Sequence, residues 1–322
     1  MVAKRASQLL VALISGLLVA HTVPGQVPVE TAPDTVVRID ANLVTIQAQV
    51  MDRNGRFVTD LQKQDFQIFE DGVEQEVSFF SPVEEPFTIL FLMDVSGGMY
   101  PHLAELARAG NEFLGQLRPD DNLIVVSFCD EMRTRAELGP VKETRGVKKI
   151  KLRTCGRYTF VYDAVHHALK RMQKMRGRRA IVLFSDGFSG EREATAKSTL
   201  RDAEEQEALI YTVQFGAIPL RPANERGNKR FNEAIENANN YMAGIAQKTG
   251  GRHYRVEDIA DLKKTFGEVA DELRRQYSLG YYPRIPLTKG QRRQIRVSIR
   301  RPGLAVRARD SYLAVPQQDR RP

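Results

Sequence analysis

The pattern of hydrophobic and polar positions changes twice along the chain. Residues 36–81 alternate apolar and polar side chains, as half-buried strands do, and residues 44–50 form the clearest such strand. From Phe87 the apolar positions form continuous runs that are separated by amphipathic segments of helical length. Beyond Gln276 the alternation returns. The pattern therefore predicts a central α/β domain between two β-rich segments.

The central domain is predicted to be a mostly parallel sheet with helices on both faces. Continuous apolar runs are typical of parallel strands that are buried on both sides. These predicted strands are residues 87–93, 123–128, 180–184, 209–215 and, more weakly, 251–256. The predicted helices between and after them are residues 103–117, 160–175, 195–207, 232–249 and 259–276. Strands that alternate with helices in this way indicate an α/β fold.

Three further features complete the predicted layout. Residues 132–138 follow a strand after a turn too short for a helical crossover, which predicts an antiparallel edge strand. Residues 216–230 are polar and contain prolines, as mobile surface loops do. The β-rich segments at the two ends are expected to pair into one small β-sandwich, because the termini of an inserted domain usually lie close together.

The first residues have the layout of a secretory signal. Lys4 and Arg5 precede an apolar stretch over residues 9–20, and small or turn-forming residues follow it. A membrane anchor is the alternative, but the stretch is shorter than the roughly 20 residues that cross a bilayer. We therefore expect export to the periplasm or the outside of the cell, with no membrane span after signal cleavage. The predicted divisions are a signal peptide (1–25), a linker (26–35), an N-terminal β-rich segment (36–86), the α/β domain (87–276), a C-terminal β segment (277–316) and a polar tail (317–322).

The charge of the chain is basic, with a formal net charge of +8. This balance would suit a surface that binds polyanions. The densest basic groups, however, lie beside predicted turns or helix ends, where solvated faces are expected; they are residues 148–151, 176–179, 292–293 and 300–301. Neither zinc-finger spacing nor an aromatic RNA-reading motif accompanies them, which argues against nucleic-acid binding.

Signatures of an enzyme are weak. Residues 187–190 do not form the Gly-x-Ser-x-Gly turn of a hydrolase nucleophile. His166 and His167 are neighbours on a predicted helix, where they face about 100° apart and cannot share a metal ion. We therefore expect no catalytic activity.

Candidate chemistry lies where predicted strands end. Asp94 ends one strand and Ser96 follows it, Thr159 precedes a helix, and Asp186 follows another strand. Ligands of open parallel sheets bind at this edge. Two carboxylates and two hydroxyls suit a hard divalent cation such as Mg²⁺. The alternative is that Asp94 and Asp186 only cap the helices that come after their strands.

These segments resemble a known family. The Asp-x-Ser segment at Asp94, the threonine at Thr159 ahead of Tyr-Asp-Ala, and Phe184-Ser-Asp-Gly187 are similar to the von Willebrand factor A (VWFA) domain with its metal-ion-dependent adhesion site (MIDAS), over about residues 87–276. The resemblance implies a Rossmann-like α/β fold. It also implies a divalent cation, Mg²⁺ or another, held directly or through water, with an acidic group of a protein or cell-surface ligand completing its shell. The implied metal-binding residues are Asp94, Ser96, Thr159 and Asp186.

With its leading signal, residues 65–72 and the closing segments 277–281 and 309–312, the whole chain resembles the exported VWFA-related proteins typical of Acidobacteria. One position departs from the family pattern. The family usually has a second serine two residues after the first, and here that position is Gly98. Water must then take the place of the hydroxyl, or the site must bind its cation more weakly.

The two cysteines, Cys129 and Cys155, are expected in a compartment that allows oxidation. A disulfide between them would brace the predicted site. The alternative is two thiols in neighbouring loops that lie too far apart to join.

The sequence thus predicts an exported binding or adhesion module that engages a protein or surface ligand through a metal site. The alternative is a metal-independent scaffold, or an envelope protein that binds polyanions with its basic surface.

Overall fold

The computed structural model describes residues 43–82, 85–144, 152–153, 155–156, 158–216 and 228–315. The predicted signal peptide, linker and polar tail lie outside these residues, as do the basic group at 148–151 and most of the predicted loop at 216–230. Among the described residues, no helix has the length and apolar character needed to span a membrane.

The described residues form strands and helices with the following bounds. The strands are β1 (Val44–Met51), β2 (Phe66–Glu70), β3 (Val73–Gln75), β4 (Phe79–Ser81), β5 (Phe87–Asp94), β6 (Asn122–Phe128), β7 (Met132–Pro140), β8 (Arg178–Ser185), β9 (Leu209–Phe215), β10 (His253–Val256), β11 (Tyr277–Tyr281), β12 (Arg292–Ile299), β13 (Ala305–Arg307) and β14 (Ser311–Leu313). The α-helices are α1 (Leu103–Gln116), α2 (Val141–Thr144), α3 (Val161–Gln173), α4 (Ala196–Glu204), α5 (Asn228–Thr249) and α6 (Leu262–Leu273). Short 3₁₀ turns occupy Lys63–Asp65, Gly97–His102 and Ile259–Asp261.

The central sheet has the strand order β10-β9-β8-β5-β6-β7. All of its pairs are parallel except β6 with β7. Successive residues of β5 contribute to two separate cores, Phe91 to the one with α1 and α6 and Leu92 to the one with α3 and α5. Burial on both faces explains the continuous apolar runs. The predicted α/β fold and its antiparallel edge strand are confirmed.

Strand β5 lies between β6 and β8. The chain continues from β5 to β6 and β7 on one side of the sheet, and then adds β8, β9 and β10 on the other side. Such a change of direction opens a crevice at the carboxyl ends of the central strands, where ligands of open α/β sheets bind. The loops that follow β5 and β8 meet at this crevice.

The two ends of the chain form two four-stranded antiparallel sheets, β13-β1-β11-β4 and β14-β12-β2-β3. In each sheet an N-terminal strand pairs with a C-terminal one, β1 with β11 and β2 with β12. The two sheets share one apolar core, which includes Ile46, Ile68 and Leu279. The predicted β-rich unit built from both chain ends is therefore confirmed.

Several predicted boundaries differ from the structure. Helix α5 begins at Asn228, so the loop predicted to reach residue 230 ends earlier. The predicted C-terminal β segment (277–316) is divided into β11, β12, β13 and β14, with β13 ending at Arg307 and β14 beginning at Ser311. The three-residue β3 and the four-residue α2 were not predicted, because such short elements contain no full period of apolar positions.

Two arginines of the predicted basic surface groups point into the protein. Arg178 is 4% exposed, donates to the carbonyl oxygens of Glu85 and Gln276 at 2.9 Å each, and stacks on Phe87. Arg293 is 3% exposed and pairs with Asp71 at 2.9 Å. The prediction of solvated faces is wrong for these two residues, because internal oxygens replace the water that a guanidinium otherwise binds. They contribute little to a polyanion-binding surface.

Candidate functional site

The site is built around Asp94, the last residue of β5, which is fully buried. Its Oδ1 accepts a hydrogen bond from the amide of Ser96 at 2.9 Å, and its Oδ2 accepts one from the hydroxyl of Ser185 at 2.6 Å. Burial raises the pKa of Asp94, and these hydrogen bonds offset part of that rise.

Asp186 follows β8 and lies close to Asp94. Its Oδ1 accepts from the amide of Phe188 at 3.0 Å. Burial, and then the charge of Asp94, raise the pKa of Asp186 to about 7. Within the described part of the chain, no lysine or arginine pairs with either carboxylate. The crevice thus holds the buried Asp94 beside the partly buried Asp186, and no lysine or arginine of the described residues balances their charge.

The alternative that these acids cap helices is wrong. Ser96 is the residue that precedes the turn after β5, and Thr195 caps α4 by accepting from the amide of Ser198. The backbone donors that Asp94 and Asp186 accept from lie two residues ahead, in the loops that they themselves begin.

Gly98 faces Asp186 across the crevice. A methyl group added at Gly98 would lie 3.4 Å from Oδ2 of Asp186, which is an ordinary contact distance. Gly98 does not have a positive φ, so the backbone accepts other residues there. A serine hydroxyl at this position would therefore point towards the carboxylate of Asp186.

Replacing Gly98 with serine is expected to tighten divalent-cation binding about tenfold, since it adds an oxygen ligand beside Asp186. Calorimetric titration of both proteins with MnCl₂ and MgCl₂ measures the change. The Gly98→Ala variant adds the same Cβ without the hydroxyl. An equal gain in that control would show that the oxygen is not the cause.

Thr159 lies on the loop before α3 and is partly buried. Its carbonyl oxygen accepts from the amide of Gly190 at 2.8 Å, which joins this loop to the one that begins at Asp186. Among the described residues, its hydroxyl has no hydrogen-bond partner. The structure thus brings Asp94, Ser96 and Asp186 to one crevice and places Thr159 on the adjoining loop.

Ser185 is a site residue that the sequence analysis missed. Its hydroxyl donates to Asp94 and accepts from the amide of Gly187 at 3.0 Å. It therefore connects the carboxylate at the end of β5 with the turn that presents Asp186. It belongs to the Phe184-Ser-Asp-Gly187 segment, but nothing in that segment indicates a contact 91 residues away.

Asp163 is a second missed residue. It is 2% exposed and accepts from the amides of Glu193 and Ala194 at 3.0 and 2.9 Å. It also pairs with Arg192, which in turn donates to the carbonyl oxygen of Asp130 and stacks on the ring of Phe160. Asp163 therefore holds the loop after Asp186 against the start of α3.

Cys129 and Cys155 form a disulfide, with their Cα atoms 6.0 Å apart. The amide of Cys155 donates to the carbonyl oxygen of Val95 at 3.4 Å, and the carbonyl oxygen of Cys129 accepts from Phe160 at 3.2 Å. The bridge thus links the loop of Asp94 and Ser96 to that of Thr159. Asp130 lies near both sulfur atoms, but disulfide sulfurs offer no thiolate to a metal ion.

The donor set decides which ion would fit. Carboxylate and hydroxyl oxygens are ligands for hard divalent cations such as Mg²⁺, Mn²⁺ or Ca²⁺. A divalent cation would also balance the charges of Asp94 and Asp186. The residues present therefore fit such an ion, with Gly98 as the one position that offers no side-chain oxygen.

Residues 89–189 match the family model of the von Willebrand factor type A domain, a segment that contains all four predicted metal-binding residues. The chain is similar in structure to a von Willebrand factor type A protein from Catenulispora acidiphila, with 12% identity, 87% of this chain and 75% of that chain covered, and a TM-score of 0.45. It is also similar to an aerotolerance-related membrane protein from Bacteroides fragilis, with 17% identity, 59% and 98% covered, and a TM-score of 0.43.

A third similar structure is proximal thread matrix protein 1 from the mussel byssus with a zinc-occupied MIDAS motif, at 11% identity, 63% and 49% covered, and a TM-score of 0.46. At TM-scores below 0.5 these likenesses support no statement about function. No curated protein matches the chain. The resemblance to acidobacterial proteins and the secretory signal stay predictions.

Proposed function

We propose that this chain, which carries a von Willebrand factor type A domain, is a binding module that captures an acidic group of a protein or cell-surface ligand through a divalent cation. The observation that carries the proposal is the pair of neighbouring acids, the buried Asp94 and the partly buried Asp186, without a cationic partner among the described residues. Withdrawing neighbouring carboxylates from water, even in part, is costly unless a positive charge compensates them. A bound cation supplies that charge.

In this proposal, this chain supplies most of the oxygen ligands and the partner supplies one acidic group. Asp94 and Asp186 supply charge, and the hydroxyls of Ser96 and Thr159 supply neutral oxygens. Gly98 offers no side-chain oxygen, so water would have to complete the ligand set there. A cation held by these residues would supply positive charge that attracts an acidic group of the partner.

We propose no catalysis at this site. The two adjacent histidines of α3 are engaged elsewhere, His166 with Asp202 at 2.8 Å and His167 with Glu193 at 3.2 Å. We also propose that the protein is exported. The disulfide between Cys129 and Cys155 supports an oxidising compartment, and the signal-like first residues support the same.

The Asp94→Asn variant tests the metal site. Asparagine keeps the size of the side chain and can still bond to Ser185, so the fold should persist, but one negative charge is lost. We expect Mg²⁺ and Mn²⁺ to bind about thirtyfold more weakly, which corresponds to about 2 kcal/mol. Isothermal titration calorimetry of the purified protein measures the affinities.

A matched control is Asp120→Asn, which removes an exposed carboxylate that pairs with Lys142 at the opposite end of the sheet. This control should bind both cations as the unaltered protein does. Equal affinities in the Asp94→Asn variant and in the unaltered protein would contradict the proposed site.

A further inference from the structure

Two exposed tyrosines lie beside the proposed cation site. Tyr158 directly precedes Thr159, and Tyr100 follows Gly98 by two residues. Their relative exposures, 69% and 65%, are the highest of the large hydrophobic side chains in the described residues. Exposed aromatic side chains that cluster on one face are typical of protein-binding surfaces.

A groove begins at Tyr100 and continues along α1. It has a volume of about 1020 Å³, and Leu152 and Arg153 form its other wall. Its apolar lining includes Pro101, Ala104 and Ala107. Gly98 and Tyr100 are two residues apart, so at most about 7 Å separates their Cα atoms. A chain that leaves the cation site in this direction enters the groove.

The charged groups in and beside the groove are mainly positive. Arg108 and Arg153 line it, both are exposed, and neither has an ion-pair partner among the described residues. Glu112 also lines it, but Lys263 balances that charge at 3.6 Å. The groove thus presents two arginines that no acid of the described protein neutralises.

Arg135 adds a third positive charge next to Arg153. It lies at an irregularity in the pairing of β7 with β6, and its Nε donates to the hydroxyl of Ser127 at 2.8 Å. Burial, and then the charges of Arg133 and Arg153, lower the pKa of Arg135. Arg133 is paired with Glu131, so Arg153 is the unpaired positive charge near Arg135 among the described residues. An anion bound at Arg153 would relieve this repulsion.

We propose that this groove binds an acidic segment of the partner protein, with Arg108 and Arg153 as receptors for its carboxylates and Tyr100 packed against its apolar atoms. This inference rests on the proposed function, because the same segment begins with the acidic group at the cation. Arg108 follows Tyr100 through the end of the 3₁₀ turn and the start of α1, roughly 13 Å along the chain axis. An extended peptide covers that distance in about four residues.

Two synthetic peptides of twelve residues test the proposal. The first carries one aspartate near its start among glycine, serine and leucine residues. The second is identical but has glutamates five and six residues after the aspartate. In MgCl₂, fluorescence anisotropy should show the second peptide binding at least about tenfold more tightly than the first, because two carboxylates reach the arginines.

The Arg108→Glu/Arg153→Glu variant should abolish this difference between the peptides. The matched control is Arg255→Glu/Arg296→Glu, which changes net charge equally at two exposed arginines, in β10 and β12. That control should keep most of the difference. Equal binding of the two peptides by the unaltered protein would overturn the proposal, as would a difference that survives the groove variant or is lost equally in the control.

The same measurement in EDTA and with Asp94→Asn separates the two proposals. Loss of cation-dependent binding, with the glutamate peptide still preferred, supports the groove. If chelation and Asp94→Asn have no effect on either peptide while the groove variant still abolishes the preference, the groove stands and the cation mechanism is contradicted. If cation-dependent binding of the first peptide is normal and the glutamates add nothing, the groove is contradicted and the proposed function stands.

Discussion

Replacing Glu272 with alanine is expected to lower the free energy of unfolding by about 3 kcal/mol. Glu272 lies near the end of α6 and is only 2% exposed. Its Oε1 accepts from Arg252 at 2.8 Å and from the hydroxyl of Tyr254 at 2.9 Å, and its Oε2 pairs with Arg307. Alanine removes the shared acceptor of all three donors.

The expected loss is large because these donors belong to different parts of the fold. Arg252 and Tyr254 are at β10 in the central sheet, whereas Arg307 ends β13 in the β-sandwich. Breaking a buried ion pair leaves uncompensated charge, which costs about 3–5 kcal/mol. The side chain of Arg252 is 48% exposed and can turn to water, so we expect the lower end of that range.

Urea unfolding, followed by circular dichroism at 222 nm, measures the change. The control is Glu268→Ala, one helical turn earlier in α6, which is only partly buried and forms no ion pair in the described residues. It should cost less than about 1 kcal/mol. Similar losses in both variants would show that the cluster around Glu272 does not hold the two parts together.

The sheet could be predicted from the sequence because strands that are buried on both faces consist of continuous apolar runs. Strand β5 is apolar at every position from Phe87 to Met93 except Thr88, and only a strand covered by helices on both sides requires this. The edge to which Asp94 and Asp186 belong follows from the same reasoning, since parallel strands end together. The predicted fold therefore also predicted that Asp94 and Asp186 lie at the same edge of the sheet.

The partners of those residues could not be predicted. Ser185 donates a hydrogen bond to Asp94, and Asp163 accepts one from a backbone amide 30 residues away. Neither contact has a local pattern, because each depends on how two distant loops pack. The capping alternative stayed open for a similar reason: the sequence shows an aspartate after a strand but does not show which amide it accepts from.

The basic residues show the same limit. Arg178 and Arg179 are adjacent in the sequence and belong to one dense basic group, but Arg178 is buried among carbonyl oxygens and Arg179 pairs with Glu207. Composition gives the net charge, but it does not show which charged side chains face the solvent and which are paired or buried. A basic surface must therefore be located from contacts, as at Arg108 and Arg153, where no acid of the described chain pairs with the guanidinium groups.

Replacing both cysteines with serine is expected to lower the free energy of unfolding by about 3 kcal/mol. The disulfide closes a loop with a sequence separation of 26, and cross-links of this size restrict the unfolded chain by about that amount. Urea unfolding of the Cys129→Ser/Cys155→Ser variant measures the loss. Unaltered protein with the disulfide reduced should show a similar loss, and full stability after reduction would contradict the prediction.

The same variant should also bind Mg²⁺ and Mn²⁺ several-fold more weakly, although neither cysteine is a predicted ligand. Cys155 holds the carbonyl oxygen of Val95, between Asp94 and Ser96, while Cys129 holds the amide next to Thr159. Without the bridge, the cation would have to order these loops, and that ordering costs affinity. Calorimetric titration well below the unfolding midpoint separates the two effects, because only folded protein is then present. If stability falls while both affinities stay unchanged, the disulfide stabilises the fold without organising the site.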